Sequence, residues 1–339
     1  MLTVFNDIHI GAKRSGGTTP DSQLRLRKWI LDQFGVLLEN TTSSCMILGD
    51  LFDTAAVDSF DFYETYTLFL TWLRRHNFPQ LWFVAGNHDL AKTSTNFSSF
   101  KLLGQLLKLE WPLAVHVVTE PEMTPYGYVI PHLANQDLFD AALAEAPACS
   151  TIFLHCNYDN KFAVESDQSL NLSPEQAEAL KCETILIGHE HRPRTHGKVH
   201  LPGNQIPSSI SDLLYAPHKQ YSFVSEKGNV EFRKCFEIAD LLSEHDWREE
   251  YVDSGKKFVR LVGAAEPEEV SQVIAATHKA RKVSGAFIVG NGVKSPKATL
   301  TDEFAETLKS VKTFDVMEAL KQILTAEEFA VIESVKDLP

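Results

Sequence analysis

Five short apolar segments in this chain each run directly into a residue that can bind a divalent metal ion. The segments are residues 3–5, 45–48, 82–85, 151–154 and 184–187. Apolar runs of this length predict strands that are buried on both faces, in a sheet covered by helices. Since ligands bind at the carboxyl ends of the strands in such sheets, we expect the polar residues that follow to meet there.

The polar residues after these strands offer carboxylate, imidazole and amide groups, and no thiolate. They form the sequences Asp7-Ile8-His9, Gly49-Asp50-Leu51-Phe52-Asp53, Gly86-Asn87-His88-Asp89, His155 and Gly188-His189-Glu190-His191. Mixed oxygen and nitrogen ligands suit Mn²⁺, Fe or Zn²⁺. Two such ions about 3.5–4 Å apart can share one carboxylate and activate water for attack on phosphorus. The pattern therefore predicts a hydrolase with a two-metal site.

The spacing of the candidate ligands supports the same prediction. Asp7 and His9 are two residues apart, as are His189 and His191. In an extended segment such residues point to the same side, so each pair is expected to reach one site. Glycine directly precedes three of the candidates, at Gly49, Gly86 and Gly188. Glycine there is expected to allow a sharp turn and the close approach of a metal or phosphate to the backbone.

The composition is that of a soluble globular protein, with 44% apolar and 23% charged residues. At 339 residues the chain suits one large domain with one or two small ones. Its formal net charge of −13 argues against nucleic-acid binding unless metal ions and a partner subunit supply positive charge locally. We expect neither a membrane span nor a signal peptide. The five scattered cysteines are expected to be free thiols in a reducing cytoplasm.

Strands alternate with helical patterns through about the first 190 residues, after which strands predominate. Helices are predicted at 21–39, 59–75, 97–107, 135–145 and 173–180. An antiparallel portion is predicted between 115 and 130, and later strands at 198–201, 220–224 and 230–235 suggest a β-rich second sheet packed on the first. A β-α-β unit is predicted at 257–289, and short amphipathic helices follow a Gly/Lys/Ser/Pro linker near 290–296.

Taken in order, these sequences resemble the motifs of the calcineurin-like metallophosphoesterases, which are D-x-H, G-D-x-x-D, G-N-H-D or G-N-H-E, a lone H and G-H-x-H. The resemblance implies two metal-binding groups with a shared carboxylate: Asp7, His9 and His191 for one ion, Asn87, His155 and His189 for the other, and Asp50 as the bridge. It implies that His88 is not a ligand but protonates the leaving oxygen, and that the carboxylate of Asp53 holds its imidazole. Two divalent ions against two carboxylates leave a charge of about +2, which suits a phosphodiester anion.

Within this superfamily the chain is most similar to the nuclease subunit of the bacterial and phage SbcCD exonucleases. The resemblance rests on residues 7–11, 49–53 and 128–132, and the motifs cover about residues 1–225. It implies an α/β fold, a four-layer α/β/β/α sandwich with a small α+β capping domain and a helical C-terminal tail. The expected division is a nuclease domain at 1–235, a capping domain at 236–292, and a linker with tail helices at 293–339.

The same resemblance implies a cofactor and partners. The cofactor is a pair of divalent metal ions, expected to be Mn²⁺, with Fe, Zn²⁺ and Mg²⁺ as alternatives. The partners are DNA and an SbcC-like ABC-type ATPase with a coiled coil, on which the tail docks. The protein is expected to form a homodimer within a heterotetramer, in the cytoplasm of a bacterium or of a phage-infected cell, without a membrane.

Three functions stay open from the sequence. The first is a DNA exonuclease and endonuclease in end processing, recombination and repair. The second is a metallophosphoesterase acting on nucleotides, small phosphodiesters or phosphoproteins, which predicts a single compact domain. The third is a non-catalytic scaffold on the same fold, which predicts lost ligands, whereas this chain has lost none. Arg192 and Arg194, just past the last motif, either steer phosphate toward the metals or lie in a solvated turn.

Overall fold

The computed structural model describes residues 1–12, 19–76, 79–90, 98–160 and 169–294. The chain divides into two compact units, of which the first comprises Met1–Gly263 and Ser271–Val293. The second comprises Ala264–Val270 and Lys294–Pro339, and in its described part the backbone N–H of Ala265 donates to the carbonyl of Lys294. The predicted tail helices lie outside the described residues, and the domain boundaries at 235 and 292 stay predictions.

The helices predicted from apolar periodicity are present. The α-helices of the described residues are α1 (Pro20–Glu39), α2 (Ser59–Arg75), α3 (Ser99–Glu110), α4 (Gln136–Ala144), α5 (Pro174–Ala179), α6 (Ile238–Leu241) and α7 (Val270–Val283). Short 3-10 turns lie at Ser211–Leu213 and Pro267–Glu269. The first five helices begin where a side-chain oxygen accepts a backbone N–H, at Thr19, Asp58, Ser98, Asn135 and Ser173. Such caps satisfy N–H groups that the first helical turn leaves unpaired.

Within the described ranges the strands form two large sheets and two small ones. Their bounds are β1 (Leu2–Phe5), β2 (Ser44–Leu48), β3 (Leu81–Val84), β4 (Val115–Val118), β5 (Glu122–Thr124), β6 (Gly127–Ile130), β7 (Cys149–His155), β8 (Asn157–Tyr158), β9 (Asn171–Leu172), β10 (Cys182–Gly188), β11 (Arg194–His196), β12 (Val199–Leu201), β13 (His218–Val224), β14 (Val230–Glu237), β15 (Leu242–Asp246), β16 (Phe258–Val262) and β17 (Ile288–Asn291). The first large sheet has the order β14-β13-β1-β2-β3-β4, and the second has the order β11-β12-β10-β7-β6-β5. In the first sheet β1 to β4 are parallel, and β13 and β14 are added antiparallel on the β1 side. In the second sheet the four central strands are parallel, and β11 and β5 pair antiparallel at the two edges.

The strands after residue 191 were expected to build a second sheet, and the structure confirms this only in part. The strand predicted at 198–201 is β12, which joins the second sheet, but β13 and β14 extend the first sheet, with β13 paired to β1. The second sheet forms instead around β7 and β10, which carry two of the five predicted metal-binding segments. The physical reason is that pairing partners lie far apart along the chain, as for Thr3 with Phe223, and local apolar patterns do not encode them.

The two large sheets pack face to face between two layers of helices. Along β2, Cys45 and Ile47 belong to the core beneath α1, α2 and α3, whereas Met46 and Leu48 belong to the core between the sheets. Alternate residues of a strand point to opposite faces, so both faces of β2 are buried. The second sheet buries its other face against α4 and α5, through Phe139, Leu143 and Ala177 among others. The predicted four-layer α/β/β/α arrangement is confirmed.

A three-stranded parallel sheet follows the sandwich, in the order β15-β16-β17, with α7 between β16 and β17 in the chain. The predicted β-α-β pattern is present, and β15 adds a strand that the sequence analysis did not predict. Trp29 of α1 packs against this sheet, with ring centroids 6.0 Å from Phe258 and 5.6 Å from Phe287. These aromatic contacts hold the small sheet against the first helical layer.

Two further expectations concern the whole chain. All five cysteines are free thiols, as predicted. None of the described helices is long and apolar enough to cross a membrane.

Candidate metal centre

The carboxyl ends of β1, β2 and β3 in the first sheet meet those of β7 and β10 in the second. His155, at the end of β7, donates from Nδ1 to the carbonyl oxygen of Leu48, the last residue of β2, at 3.0 Å. In the first sheet the backbone N–H groups of Asp7 and His9 donate to the carbonyls of Gly49 and Asp50, at 3.1 and 3.0 Å. The loops that follow the five strands therefore converge on one place.

Four of the candidate ligands have left-handed backbone conformations. The φ angle is 53° at Asp7, 54° at His9, 51° at Asp50 and 90° at His189. A residue with a Cβ adopts this region at a cost of about 1–2 kcal/mol, and such strain gathers at functional sites. The conformations also correct the spacing argument, because these segments are not extended. His189 and His191 accordingly lie in different groups of potential ligands.

The glycines before the ligands make room for other ligand side chains. A Cβ at Gly49 would lie 1.9 Å from Nδ1 of His155, and a Cβ at Gly86 would lie 2.1 Å from Oδ1 of Asp50. Gly49 also has a φ of +83°, which disfavours any L side chain. The sequence analysis expected glycine to admit a metal or phosphate to the backbone, but in the structure the space is filled by the predicted ligands themselves.

The first group of potential ligands comprises Asp7, His9 and His191. The Nε2 atoms of His9 and His191 lie 3.1 Å apart. The carboxylate of Asp7 is held by the backbone N–H of His189, which lies 3.1 and 2.9 Å from its two oxygens. Asp7 and His9 are almost completely buried, and His191 is 28% exposed, so this group opens toward solvent on the His191 side.

The second group comprises Asp50, His155 and His189, with Asn87 between the two imidazoles. The side-chain oxygen of Asn87 lies 3.1 Å from Nε2 of His155 and 3.0 Å from Nδ1 of His189. Oδ2 of Asp50 lies 3.4 Å from Nε2 of His155 and 3.9 Å from Nε2 of His9. Asp50 is thus the carboxylate that lies between the two groups.

The donor set fits two divalent metal ions. Nδ1 of His155 donates to a carbonyl, which directs Nε2 toward Asn87 and Asp50. Metal-binding histidines are oriented in this way, with the outer ring nitrogen hydrogen-bonded and the inner one turned to the ion. The convergence of imidazole nitrogens with carboxylate and amide oxygens within 3.0–3.9 Å of one another is suited to a cation. The roles of the individual ligands stay predictions.

Asp50 and His155 dominate the electrostatics of the metal-free site. Burial alone would raise the pKa of Asp50, but His155, and then His9 and His88, hold it well below the usual value. Burial would lower the pKa of His155, but the carboxylate of Asp50, helped by Asp7, raises it to about 9. For His189, burial and the neighbouring His155 lower the pKa to about 4. Asp50 is therefore ionised and His189 neutral near pH 7.

His88 lies at the open side of the cluster, between the two groups. Its backbone N–H donates to Oδ1 of Asp50 at 2.9 Å, and its Nδ1 donates to the main-chain carbonyl of Asp53 at 2.6 Å. The carboxylate of Asp53 contacts Nδ1 of His9 at 3.3 Å. The main-chain oxygen of Asp53 therefore orients His88, and the expected role of the Asp53 carboxylate in holding this imidazole stays a prediction. His88 is also near enough to His9 and Asp50 to form a third potential metal group, so its assignment as an acid rather than a ligand stays a prediction.

Asp212 is a residue of the site that sequence reasoning missed. Its Oδ1 accepts a hydrogen bond from Nδ1 of His191 at 2.8 Å. Its Oδ2 accepts from the backbone N–H groups of Ser208 and Ser209, at 2.8 and 2.9 Å. Burial would raise the pKa of Asp212, but His191 and then Lys219 lower it below its ordinary range. Asp212 follows His191 by 21 residues in a segment without a motif, so no sequence signal marked it.

Asp89 holds two of the metal-site loops together. It is fully buried, and its carboxylate accepts backbone N–H groups from Phe52 at 3.1 Å and from Gly86 at 2.9 Å. These bonds tie the loop after β2 to the loop after β3. Burial, and then the charge of Asp50, raise the pKa of Asp89 to about 7 in the metal-free site.

Glu190 and Arg194 order the loop after β10. The guanidinium of Arg194 contacts both carboxylate oxygens of Glu190, at 2.7 and 2.8 Å, and the carbonyl of Tyr158. The same carboxylate accepts the backbone N–H of Tyr158 at 2.7 Å. Arg194 is therefore bound within the loop. Of the two arginines considered for steering phosphate, only Arg192 remains a candidate.

Known proteins with a similar sequence or structure show the family of this chain. One similar solved structure is the crystal structure of a metallophosphoesterase from Sphaerobacter thermophilus, with 14% sequence identity, a TM-score of 0.30, and coverage of 70% of this chain and 90% of that chain. No curated protein matches the chain. The sequence profile described as calcineurin-like phosphoesterase matches residues 1–193, more than half of the chain, and this span contains all the predicted metal-binding segments. The chain belongs to the calcineurin-like phosphoesterase family, and it is a metal-dependent phosphoesterase.

Proposed function

We propose that this phosphoesterase hydrolyses phosphodiester bonds in DNA, as the nuclease subunit of an SbcCD-like complex in end processing, recombination and repair. The observation that carries the proposal is the position of the Asp50 carboxylate, within 3.9 Å of His9 in one ligand group and 3.4 Å of His155 in the other. A carboxylate so placed links two cations into one centre. Two divalent ions against Asp7 and Asp50 give a net charge of about +2, which suits the single negative charge of a diester.

Each side chain has a defined part in this proposal. The first group, Asp7, His9 and His191, would hold one ion, Asn87, His155 and His189 would hold the other, and the Asp50 carboxylate would serve both. The bound ions supply Lewis-acid polarisation of the phosphoryl oxygens and a lowered pKa for water. Mn²⁺ is the expected metal, with Fe, Zn²⁺ and Mg²⁺ as alternatives.

His88 is proposed as the general acid for the leaving oxygen. Its Nδ1 is engaged with the Asp53 carbonyl, so Nε2 is the atom that carries and releases the proton. Its backbone bond to Asp50 fixes the ring relative to the centre of the site. A positioned acid of this kind contributes about 10²–10⁴ to the rate.

The assignment to DNA rests on the resemblance of whole segments, and on the unit that follows the sandwich, rather than on the ligand types alone. Residues 7–11 and 49–53 resemble the SbcD-type nucleases, and a β-α-β unit follows the sandwich where those nucleases have a capping domain. An SbcC-like ABC-type ATPase as partner, a homodimer within the complex, and a cytoplasmic location belong to the same proposal. Action on nucleotides, small phosphodiesters or phosphoproteins is the competing outcome.

The decisive experiment compares substrates on the full chain. Mn²⁺-loaded protein is incubated with linear duplex DNA, single-stranded DNA, mononucleotides and a phosphopeptide, with and without an SbcC-type ATPase and ATP. The proposal expects cleavage of DNA, stimulated on duplex ends by the ATPase, and no release of phosphate from the phosphopeptide. Rapid hydrolysis of the mononucleotides or phosphopeptide with intact DNA would overturn the assignment and favour the competing one.

A further inference from the structure

An open pocket of about 290 Å³ lies beside the metal centre, on the side where His191 is exposed. His191, Asp212, Asn157 and Asn160 are among the residues that line the pocket. Arg192 and Tyr215 also line it. A substrate whose phosphodiester lies at the metal centre would extend into this pocket on leaving the site past His191.

Arg192 is the cation of this pocket. Its guanidinium lies 4.8 Å from the centroid of the Tyr215 ring, a distance within the range of a cation–π contact. The described residues hold no ion-pair partner for Arg192, whereas Arg194, two positions on, is bound to Glu190. Arg192 is exposed, and it directly follows His191, so its charge is available close to the candidate metal group.

Tyr215 gives the pocket a stacking surface. Its side chain is 53% exposed, although the ring supports the guanidinium on one side. A guanidinium carries its N–H groups in a planar fork that matches two oxygens of a phosphate. Aromatic rings and arginine planes are the platforms on which proteins stack unpaired bases.

The acidic groups of the pocket do not cancel this charge. Glu190 is paired with Arg194, and the Asp212 carboxylate is turned to His191 and to the backbone of Ser208 and Ser209. The formal net charge of the chain is −13, yet beside this candidate metal group lies an arginine that pairs with no carboxylate of the described residues. The pocket therefore combines an anion-binding group with a π surface, which together suit a nucleotide.

We propose that this pocket is a subsite for the nucleotide next to the scissile phosphodiester, with Arg192 binding the neighbouring phosphate and the Arg192–Tyr215 pair stacking the base. The inference rests on the proposed function and narrows its substrate class. A subsite for a neighbouring phosphate favours oligonucleotides over phosphodiesters that have no second phosphate. It assigns substrate positioning to two residues outside the metal ligands.

The test compares an oligonucleotide with a small diester that cannot reach the pocket. Full-length Mn²⁺-loaded protein is assayed on tetrathymidylate and on bis(p-nitrophenyl) phosphate. Arg192→Ala and Tyr215→Ala are expected to raise KM for tetrathymidylate about 10-fold or more, to change kcat little, and to leave the small diester unaffected. Tyr215→Phe, which keeps the ring, is expected to behave as wild type.

Two control variants and a binding measurement complete the design. Tyr63→Ala removes a similarly exposed tyrosine on α2, and Arg248→Ala removes an arginine stacked 4.5 Å from Trp247, both away from the pocket. Fluorescence anisotropy of labelled tetrathymidylate with metal-free protein is expected to show weaker binding only in the pocket variants.

Equal effects on both substrates, or unchanged KM and binding in Arg192→Ala and Tyr215→Ala, would overturn the subsite. If wild type fails to cleave tetrathymidylate, the DNA proposal fails, and the anisotropy result still decides whether the pocket binds nucleotides.

Discussion

Oδ1 of Asp212 accepts a hydrogen bond of 2.8 Å from Nδ1 of His191, and this bond fixes which nitrogen of His191 faces the metal centre. The carboxylate is itself held by two backbone N–H groups and lies beneath the surface. An ionised acceptor on the outer nitrogen keeps the proton on Nδ1 and leaves Nε2 free to bind an ion.

Asp212→Asn is therefore expected to weaken the metal site at His191. The amide is a poorer acceptor for Nδ1–H and does not stabilise positive charge on the ring, so affinity for that ion should fall about 10–100-fold. Mn²⁺ titration by calorimetry measures this directly. Excess metal should restore most of the activity, and a variant with unchanged affinity for both ions would contradict the positioning role.

Asp50→Asn is expected to abolish hydrolysis while the fold is retained. The substitution removes the carboxylate that lies between the two ligand groups, so both sites are weakened together. Activity in excess Mn²⁺ and the thermal unfolding midpoint are the measurements. Asp159→Asn is the matched control, because Asp159 has the same left-handed φ of 51° but is exposed and outside the site. Near wild-type activity of Asp50→Asn would contradict the two-metal assignment.

His88→Asn should separate proton transfer from metal binding. Its ring is held by the Asp53 carbonyl, and loss of a general acid lowers the rate by about 10²–10⁴. Both metals should remain bound, and DNA affinity should change little. The informative readout is metal stoichiometry, because His88 also lies within reach of His9 and Asp50. Loss of one metal from the variant would make His88 a ligand instead of an acid.

Metal binding is expected to release protons and to strengthen as pH rises toward 9. Although burial opposes it, Asp50 raises the pKa of His155 to about 9, so this imidazole is protonated at pH 7 in the metal-free protein. A metal binds only the unprotonated nitrogen, so the competition by protons disappears as pH rises through that pKa. Calorimetry in two buffers of different ionisation enthalpy counts the protons, and about one or more per protein is expected at pH 7. Affinity that is flat between pH 6.5 and 9 would contradict the assignment of His155.

Deletion of residues 298–339 should separate cleavage from partner binding. These residues lie outside the described part of the chain, and their sequence predicts short amphipathic helices that need an apolar surface to cover them. We expect Mn²⁺-dependent hydrolysis of small diesters to persist, and both co-purification with an SbcC-type ATPase and ATP-stimulated degradation of duplex DNA to be lost. If the truncated chain binds the ATPase with unchanged affinity, the tail does not dock on the ATPase and has a different function.

The amino-acid sequence determined the features that depend on short-range chemistry. The helix over Pro20–Glu39 follows from its apolar period and its Thr19 cap, and the strands that carry the ligands follow from short apolar runs. The ligand types were equally readable, because Asp50, Asn87 and His155 each stand at the end of such a run. The α/β class and the metal chemistry were therefore predictable without coordinates.

The tertiary structure decided which of these parts belong together. β7 and β10 lie in a different sheet from β1 and β2, so the site forms between two sheets, where His155 donates to Leu48 across 107 positions of the chain. The bond from His191 to Asp212, and the division of the two arginines into the bound Arg194 and the available Arg192, also depend on contacts that no local pattern records. A strand's period states which of its faces are buried but not which strand will pair with it, so these relationships arise only when distant segments pack.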